Sequence, residues 1–351
     1  MEDFKIGNRI IGNAHKCFLI AEAGVNHNGD LETARKLIDI AVDAGADAVK
    51  FQTFITKNLL LNDIEKAPYQ KVTSKKDESQ TEMIKHLELD RDFHLQLVDY
   101  CSKKQIIFLS TPYCLESLDL LVELDVPAIK IASTDATNLI FLEQVAKCKK
   151  PILLSTGMCS LAEIEQAYQC LKQNGCQDIS IFKCTSNYPT EAVEVNLRAI
   201  LTLRNAFDVV IGFSDHTEGV GASPYAVTMG AKIIEKHFTI SKDMKGPDHK
   251  ASLNPDELRK WVKEIRKVEV MLGSKSVYPT ASEQLNKNYL QKNLVAKSRI
   301  EKGELLTKDK LAAKRTGGIG IRANAYKEII GSRATRTIDE NHPIMWSYFQ
   351  D

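Results

Sequence analysis

The chain has 351 residues, 43% hydrophobic and 26% charged, enough to bury a full core in one large domain or in one large and one small. Lys and Arg number 47 against 46 Asp and Glu, a net charge of +1 with no run of five like charges, which argues against nucleic acid or an anionic membrane as partner. The polar start MEDFKIGNR does not read as a signal peptide, and apolar runs of about five residues fall short of the roughly 18 that span a bilayer. Eight scattered cysteines (17, 101, 114, 148, 159, 170, 176 and 184) form no C-x-x-C pair and read as buried thiols of a cytoplasmic protein.

In chain order, short β-branched or aliphatic runs recur at 17–22, 47–52, 106–110, 127–131, 151–155, 179–183, 209–213 and 232–236. Between them lie amphipathic stretches, beginning with 31–44, where Leu31, Ala34, Leu37, Ile38 and Ala41 share one face and Gly45 ends the run. Segments 92–103, 115–123, 139–147, 161–173, 195–205, 219–229 and 255–272 repeat the pattern. Eight strands alternating with helices, at roughly 33 residues per unit, predict an α/β (β/α)8 TIM barrel, with an open doubly wound sheet as the alternative. Residues 57–89 are too long for a plain strand-to-helix loop and read as a substrate lid or a surface elaboration. A barrel over 1–273, a polar linker over 274–290 and a small β-rich domain over 291–351 complete the expected organisation.

Catalytic groups of such barrels gather at the C-terminal ends of the strands. There the sequence places Glu22, Asn26 and His27, then Lys50 and Gln52, Ser110 and Thr111, and Lys130 and Ser133. The later strands bring Ser155 and Thr156; Lys183, Thr185, Ser186 and Tyr188; Ser214, Asp215 and His216; and Glu235 and His237. Lysines among hydroxyls describe a pocket for a phosphorylated or carboxylated anion, although any one lysine can instead pair with a barrel carboxylate. His216 and His237 follow adjacent strands and could share one Mn2+, Mg2+, Co2+ or Fe2+ ion, or simply be hydrogen-bonded. Asp248 could reach over the mouth to sugar hydroxyls or belong to an ordinary Gly-Pro turn. Arg315, beside Gly317, Gly318 and Gly320, could lean into a neighbour's site or lie in solvent.

Read together, IAEAGVNHNGD (20–30), AGADAVKFQTF (44–54), FLSTPY (108–113), KIAS (130–133), LSTGM (154–158), KCTSNYPT (183–190), GFSDHTEG (212–219), IEKHFT (234–239) and GPDHKASL (246–253) resemble the bacterial sialic acid synthase family. The tail, with LVAKSRIEKGELLT and KRTGGIGI, resembles that family's C-terminal antifreeze-like (SAF) domain. The resemblance implies condensation of phosphoenolpyruvate with an N-acetyl amino-sugar and water, giving a nine-carbon acidic sugar and phosphate. It implies His216 and His237 as ligands of a divalent metal, Mn2+ preferred with Mg2+ or Co2+ as substitutes, and Glu22 as catalytic. Lys50, Thr111, Lys130, Ser133, Ser155, Ser186 and Ser214 match positions that hold phosphoenolpyruvate, and Glu22, Gln52, Tyr188 and Asp248 match those that handle the sugar and the attacking water. It also implies a domain-swapped homodimer in which Arg315 of one chain reaches the N-acetyl group bound by the other. Where many members read S-G-E, this chain reads Ser133-Thr134-Asp135, a carboxylate one methylene shorter, and the usual R-P-G-x-G-I is R-T-G-G-I-G-I. The acceptor is expected to be N-acetylmannosamine or 2,4-diacetamido-2,4,6-trideoxymannose, the legionaminate type favoured. A pseudaminate synthase, a Schiff-base aldolase using Lys50 or Lys130, and a catalytically silent sugar-binding protein are the rival readings.

Overall fold

The computed structural model describes residues 2–61 and 79–349 and divides into two units, Met1–Gly273 and Ser274–Asp351. In the first, eight strands follow the predicted aliphatic runs: β3 (Phe18–Gly24), β4 (Ala48–Thr53), β5 (Ile107–Pro112), β6 (Ile129–Ile131), β7 (Ile152–Ser155), β8 (Ile179–Cys184), β9 (Val210–Asp215) and β10 (Ile233–His237). They pair in parallel in the order β5-β4-β3-β10-β9-β8-β7-β6, and β5 lies beside β6, so the sheet closes into a barrel with helices outside. The closed alternative is therefore the one adopted.

Successive residues of a strand point to opposite faces, so each strand sends one parity inward and the other toward the helices. The outward parity is aliphatic: Leu19, Ala21, Val49, Ile131, Leu154, Ile181, Ile211 and Ile234 pack under the helices. The helices themselves obey local rules. Asp30 caps Leu31–Ala44 by accepting from Thr33 N–H, and Gly45, at φ 80°, ends it in the left-handed conformation. Asn254 and Glu257 form a capping box at the start of Pro255–Leu272.

The inward parity changes character along the barrel. At the N-terminal end Phe18, Ile20, Ala48, Leu109, Leu153, Phe182, Val210 and Ile233 fill the interior. Gly212 makes room for this layer, since a Cβ there would lie 2.6 Å from the Phe182 ring. A hairpin absent from the sequence reading, β1 (Phe4–Ile6) and β2 (Arg9–Ile11), covers this end with Phe4, Ile6 and Ile11. Its turn, Gly7-Asn8, is a two-residue hairpin signal, with Gly7 at φ 57°. Asp47 fastens the closure: it pairs with Arg9, accepts from Leu19 N–H at 2.8 Å and pairs with Arg266 at 2.9 Å.

Elsewhere the boundaries shift for identifiable reasons. The stretches expected at 195–205 and 219–229 form helices over Ala199–Ala206 and Ser223–Thr228. Asn196 at φ 49°, and Gly219 and Gly221 at φ 58° and 59°, hold the preceding residues in non-helical turns. Of the expected lid, the run 62–78 lies outside the described residues. Its flanks form the short helices Thr56–Leu59 and Gln80–Lys85, which pack with Val25, Phe54, Leu87 and Tyr113.

In the second unit the segment read as a linker contains a helix, Ala281–Leu290, started by a Thr280–Glu283 capping box. The T-x-x-E spacing is its sequence signature. Two antiparallel strands, β11 (Asn293–Ala296) and β12 (Leu311–Lys314), and several turns then enclose a small core of Leu294, Ile300, Leu306, Ile321, Ile329, Ile338 and Ile344. No described helix is long and apolar enough to cross a membrane.

Ile6 sits wholly buried in the barrel floor, so Ile6→Ala should lower the free energy of barrel unfolding by about 2–5 kcal/mol. Denaturant unfolding followed by the fluorescence of buried Trp261 measures the shift.

Candidate active site

Past the apolar floor, the same inward parity turns polar. It reads Glu22 on β3, Lys50 and Gln52 on β4, Thr111 on β5, Lys130 on β6, Ser155 on β7, Cys184 on β8, Ser214 and His216 on and after β9, and Glu235 and His237 on β10. All of them line one cavity of about 630 Å3 at the C-terminal mouth. Ser133, Ser186, Tyr188 and Asp248, from the loops, line it too. A larger groove of about 800 Å3 runs outside the barrel, but Glu88, Asp90, Glu116, Asp119 and Glu123 on its wall, with one arginine, make it unsuited to an anion.

Four buried charges form the cavity's centre. Lys50 Nζ lies 2.8 Å from Glu22 and 3.7 Å from Glu235 and donates to Thr111 Oγ1 at 2.9 Å. Lys130 Nζ donates to Ser155 Oγ at 2.6 Å and lies 3.8 Å from Glu235. Burial outweighs the Lys50 charge at Glu22 and pushes its carboxyl up to about 7. At Glu235 burial is overcome by Lys130 and Lys50, and the carboxyl stays below its usual range. Burial works against the Lys50 ammonium, but Glu22 and Glu235 hold it above its ordinary value, whereas at Lys130 burial prevails and pulls it down. The lysines do pair with barrel carboxylates, and Lys130, with the longer contact, is the cation more open to an incoming anion.

Hydroxyls surround this centre. Ser133 Oγ accepts from Gly157 N–H at 2.9 Å, and a Cβ at Gly157 would lie 2.3 Å from Ser186 Oγ. The LSTGM loop thus brings its backbone against Ser133 and Ser186 in a way that only glycine permits.

The two imidazoles are tilted to one another with ring centroids 5.6 Å apart, and the Tyr188 ring lies tilted 4.1 Å from His216 and edge-on to His237. His216 Nδ1 donates to Thr185 O at 2.6 Å, which leaves Nε2 toward the cavity, 3.3 Å from Ser214 Oγ. His237 Nδ1 is buried without a hydrogen-bond partner and lies 4.0 Å from Asp248. Burial, then the charges of His216 and Lys50, hold His237 well below its ordinary value, so it is neutral with a lone pair to give. The backbone-anchored tautomer at His216 is the support that metal-ligating histidines normally have. Burial works against a charged His216, but Cys184 and the Thr185 carbonyl hold it above its ordinary value, so a divalent ion completed by water or substrate oxygen fits the pair by taking the place of the proton on His216 Nε2. Among the described residues no group of three or more His, Cys, Asp or Glu has metal-binding geometry, which sets the pair apart from structural zinc.

Asp248 is pushed up to about 6 by burial. Cys184, absent from the expected set, has its Sγ 3.9 Å from His216 Nδ1. Burial alone would raise this thiol, but the His216 charge and hydrogen bonds from His216 and Ser133 bring it down to about 7.

Several expected residues do not reach the mouth: parity turns Ser110, Thr156 and Lys183 away, and the others lie in turns or in the second unit. Asn26 donates to Phe238 O and Ser252 Oγ, and His27 accepts from Gly29 N–H between Phe51 and Phe93. Ser110 bonds Thr53, Thr156 donates to Phe182 O, and Lys183 donates to Cys184 O. Asp135 accepts from Asn138 Nδ2 at 3.0 Å within its own turn, and Thr134 takes the wall position instead. Arg315 belongs to the second unit, where it is exposed just after β12. Glu235 stands at the mouth where the strand-end reading put it, but the resemblance gave it no role; its place between the two lysines comes from the structure.

Charges this deeply buried cost too much to serve packing alone, and gathered at the catalytic end of a closed barrel they mark the chain as a barrel enzyme. Comparison with known proteins narrows the class. Residues 37–277 match the NeuB family model and 293–350 match the SAF domain. N,N'-diacetyllegionaminic acid synthase of Campylobacter jejuni is 48% identical over 331 residues, covering 94% of this chain and 99% of that protein. The synthase of the same name from Legionella pneumophila is 39% identical, covering 97% and 96%. The crystal structure of N-acetylneuraminic acid synthetase from Leptospira borgpetersenii superposes with a TM-score of 0.72 at 35% identity, covering 82% of this chain and 97% of that one. The chain belongs to the NeuB family of condensing enzymes and carries its C-terminal SAF domain.

Proposed function

We propose that the enzyme condenses phosphoenolpyruvate with an open-chain N-acetylated mannosamine and water to give a nonulosonic acid and phosphate, and that its acceptor is 2,4-diacetamido-2,4,6-trideoxymannose rather than N-acetylmannosamine. The observation that carries the reaction is the shared cavity, in which the Lys50, Lys130 and hydroxyl cluster stands beside two open imidazoles. The acceptor follows the two relatives named as legionaminic acid synthases.

Lys130, with Ser133, Ser155, Ser186 and Ser214, holds the phosphate and carboxylate of phosphoenolpyruvate and stabilises charge as the C–O bond to phosphate breaks. His216 and His237 would hold a divalent cation, Mn2+ by preference, which would supply Lewis acidity at the acceptor's carbonyl oxygen. Gln52, Tyr188 and Asp248 orient the sugar so that its C1 meets C3 of phosphoenolpyruvate. Glu22 takes the proton from the water that adds at C2, a role suited to a carboxyl near 7 and to its hydrogen bond with Gln52 at 3.3 Å. The Schiff-base alternative needs an uncharged lysine, for which Lys130, pulled down by burial, is the candidate.

The proposal extends to a domain-swapped homodimer in which Arg315 of one chain meets the N-acetyl group bound by the other. Its support is the exposed apolar series Val277, Tyr278, Leu285 and Tyr289, a composition suited to a partner surface. Mixing Arg315→Ala chains with His237→Ala chains, each impaired alone, should restore about a quarter of wild-type activity, because half the dimers then hold one complete site. No restoration on subunit exchange argues against the swap.

Phosphate release with Mn2+ should be abolished by EDTA and by His216→Ala, and should be faster with the diacetamido sugar. Condensation of free pyruvate that survives EDTA, with borohydride trapping of pyruvate on Lys130, would establish the aldolase instead. For Glu22 the sign is fixed by its role: protonated below pH 7, it cannot accept a proton, so kcat/KM should climb through pH 7. Glu22→Gln should lower kcat by about 10²–10⁴-fold and flatten that limb.

A further inference from the structure

The two strands that carry the imidazoles end in Asp215-His216 and Lys236-His237. Alternation sends the histidines to the mouth and their preceding neighbours to the helix-facing side. Asp215 and Lys236 are register partners in the β9–β10 ladder, and they pair at 3.1 Å with side chains only 0% and 2% exposed.

Every polar atom of this pair is committed. Asp215 Oδ1 accepts from Thr217 N–H at 3.0 Å and Thr217 Oγ1 at 2.6 Å, and Oδ2 accepts from Ser223 N–H at 2.9 Å and Ser223 Oγ at 2.6 Å. Lys236 Nζ also donates to Thr217 O at 2.7 Å, and Trp261 Nε1 donates to Ser223 Oγ at 2.8 Å. A Cβ at Gly221 would lie 1.9 Å from Thr217 Oγ1, so the loop leaving His216 is wound tightly onto this pair. The arrangement joins β9, β10, that loop and the helix Pro255–Leu272.

Stability does not explain an ion pair here. The neighbouring outward residues Ile211, Phe213 and Ile234 are apolar, and a well-packed apolar pair in place of a buried ion pair is often equally or more stable. What a directional, fully satisfied pair adds is a fixed register between two particular strands. We infer that Asp215 and Lys236 form a clamp on the outer face of the barrel that sets the spacing of His216 and His237, and so act as positioning residues for the cation. This rests on the reading of the two histidines as cation ligands.

The test is Mn2+ binding to the full chain, read from the loss of the free-ion electron paramagnetic resonance signal. Three variants are compared: Lys236→Met, the charge-free double Asp215→Asn/Lys236→Met, and Arg266→Met, which cuts a comparable network at the opposite end of the barrel. Wild type should bind Mn2+ and His216→Ala should not. Both clamp variants, verified as folded by circular dichroism, should bind on the order of tenfold more weakly. Arg266→Met should lower Tm yet keep the wild-type Kd. If the clamp variants fail to fold, Ser223→Ala, which removes one donor to Asp215, should give a smaller rise in Kd in the same direction. An unchanged Kd in the folded clamp variants, or in Ser223→Ala where that variant stands in for them, overturns the clamp alone, as does an equal rise in Arg266→Met. A wild type that binds no Mn2+, or His216→Ala binding as well as wild type, overturns the two-histidine reading and the clamp with it.

Discussion

Inside a closed parallel barrel each strand has only every second residue with which to build, and the rest of this molecule depends on how that single parity is used. Its lower half is spent on Phe18, Ile20, Leu109, Leu153, Phe182 and Ile233, a dry floor. Its upper half is spent on Glu22, Lys50, Thr111, Lys130, Ser214 and Glu235. The floor excludes water from below, so the charges above it interact through a medium less polar than solvent. Chemistry and packing are therefore two ends of one row of side chains rather than separate regions.

That placement accounts for the electrostatics. Two lysines and two carboxylates nearly cancel, which lets four charges be buried together, yet the cancellation is uneven. Lys50 is tightly bound to Glu22, whereas Lys130 keeps a longer contact with Glu235 and leans on Ser155. The uneven sharing leaves Glu22 near neutrality in its titration and Lys130 able to turn toward another anion. Donors already aimed before any ligand arrives need little rearrangement, the condition under which buried dipoles and charges are most effective.

Much of this was legible in the residues. Aliphatic runs and amphipathic stretches located all eight barrel strands within about two residues, because both signals are periodic and strong. The mouth was legible as a composition, but its membership was not, since listing strand-end residues mixes both parities. Ser110, Lys183 and Asp215 are neighbours in sequence of cavity residues and face the other way, whereas Asn26 and His27 lie in the turn that follows β3. Register within a strand follows from which side the helices cover, and that is settled by tertiary packing. The hairpin over residues 4–11 is too short for periodicity to reveal, and its Gly-Asn turn was the local clue. The helix Ala281–Leu290 hid behind polar composition, although its capping spacing was in view.

The hairpin under the barrel has a kinetic consequence. Phe4, Ile6 and Ile11 leave the ribosome ahead of every barrel strand, but the layer they seal includes Val210 and Ile233, about two hundred residues later. The hairpin must wait for the last barrel strand before its apolar face is covered. Contacts of such long sequence separation slow folding. During synthesis the hairpin's edges remain unpaired while Phe4, Ile6 and Ile11 lie uncovered, and the charges of Lys5 and Arg9 work against pairing with a neighbouring nascent chain.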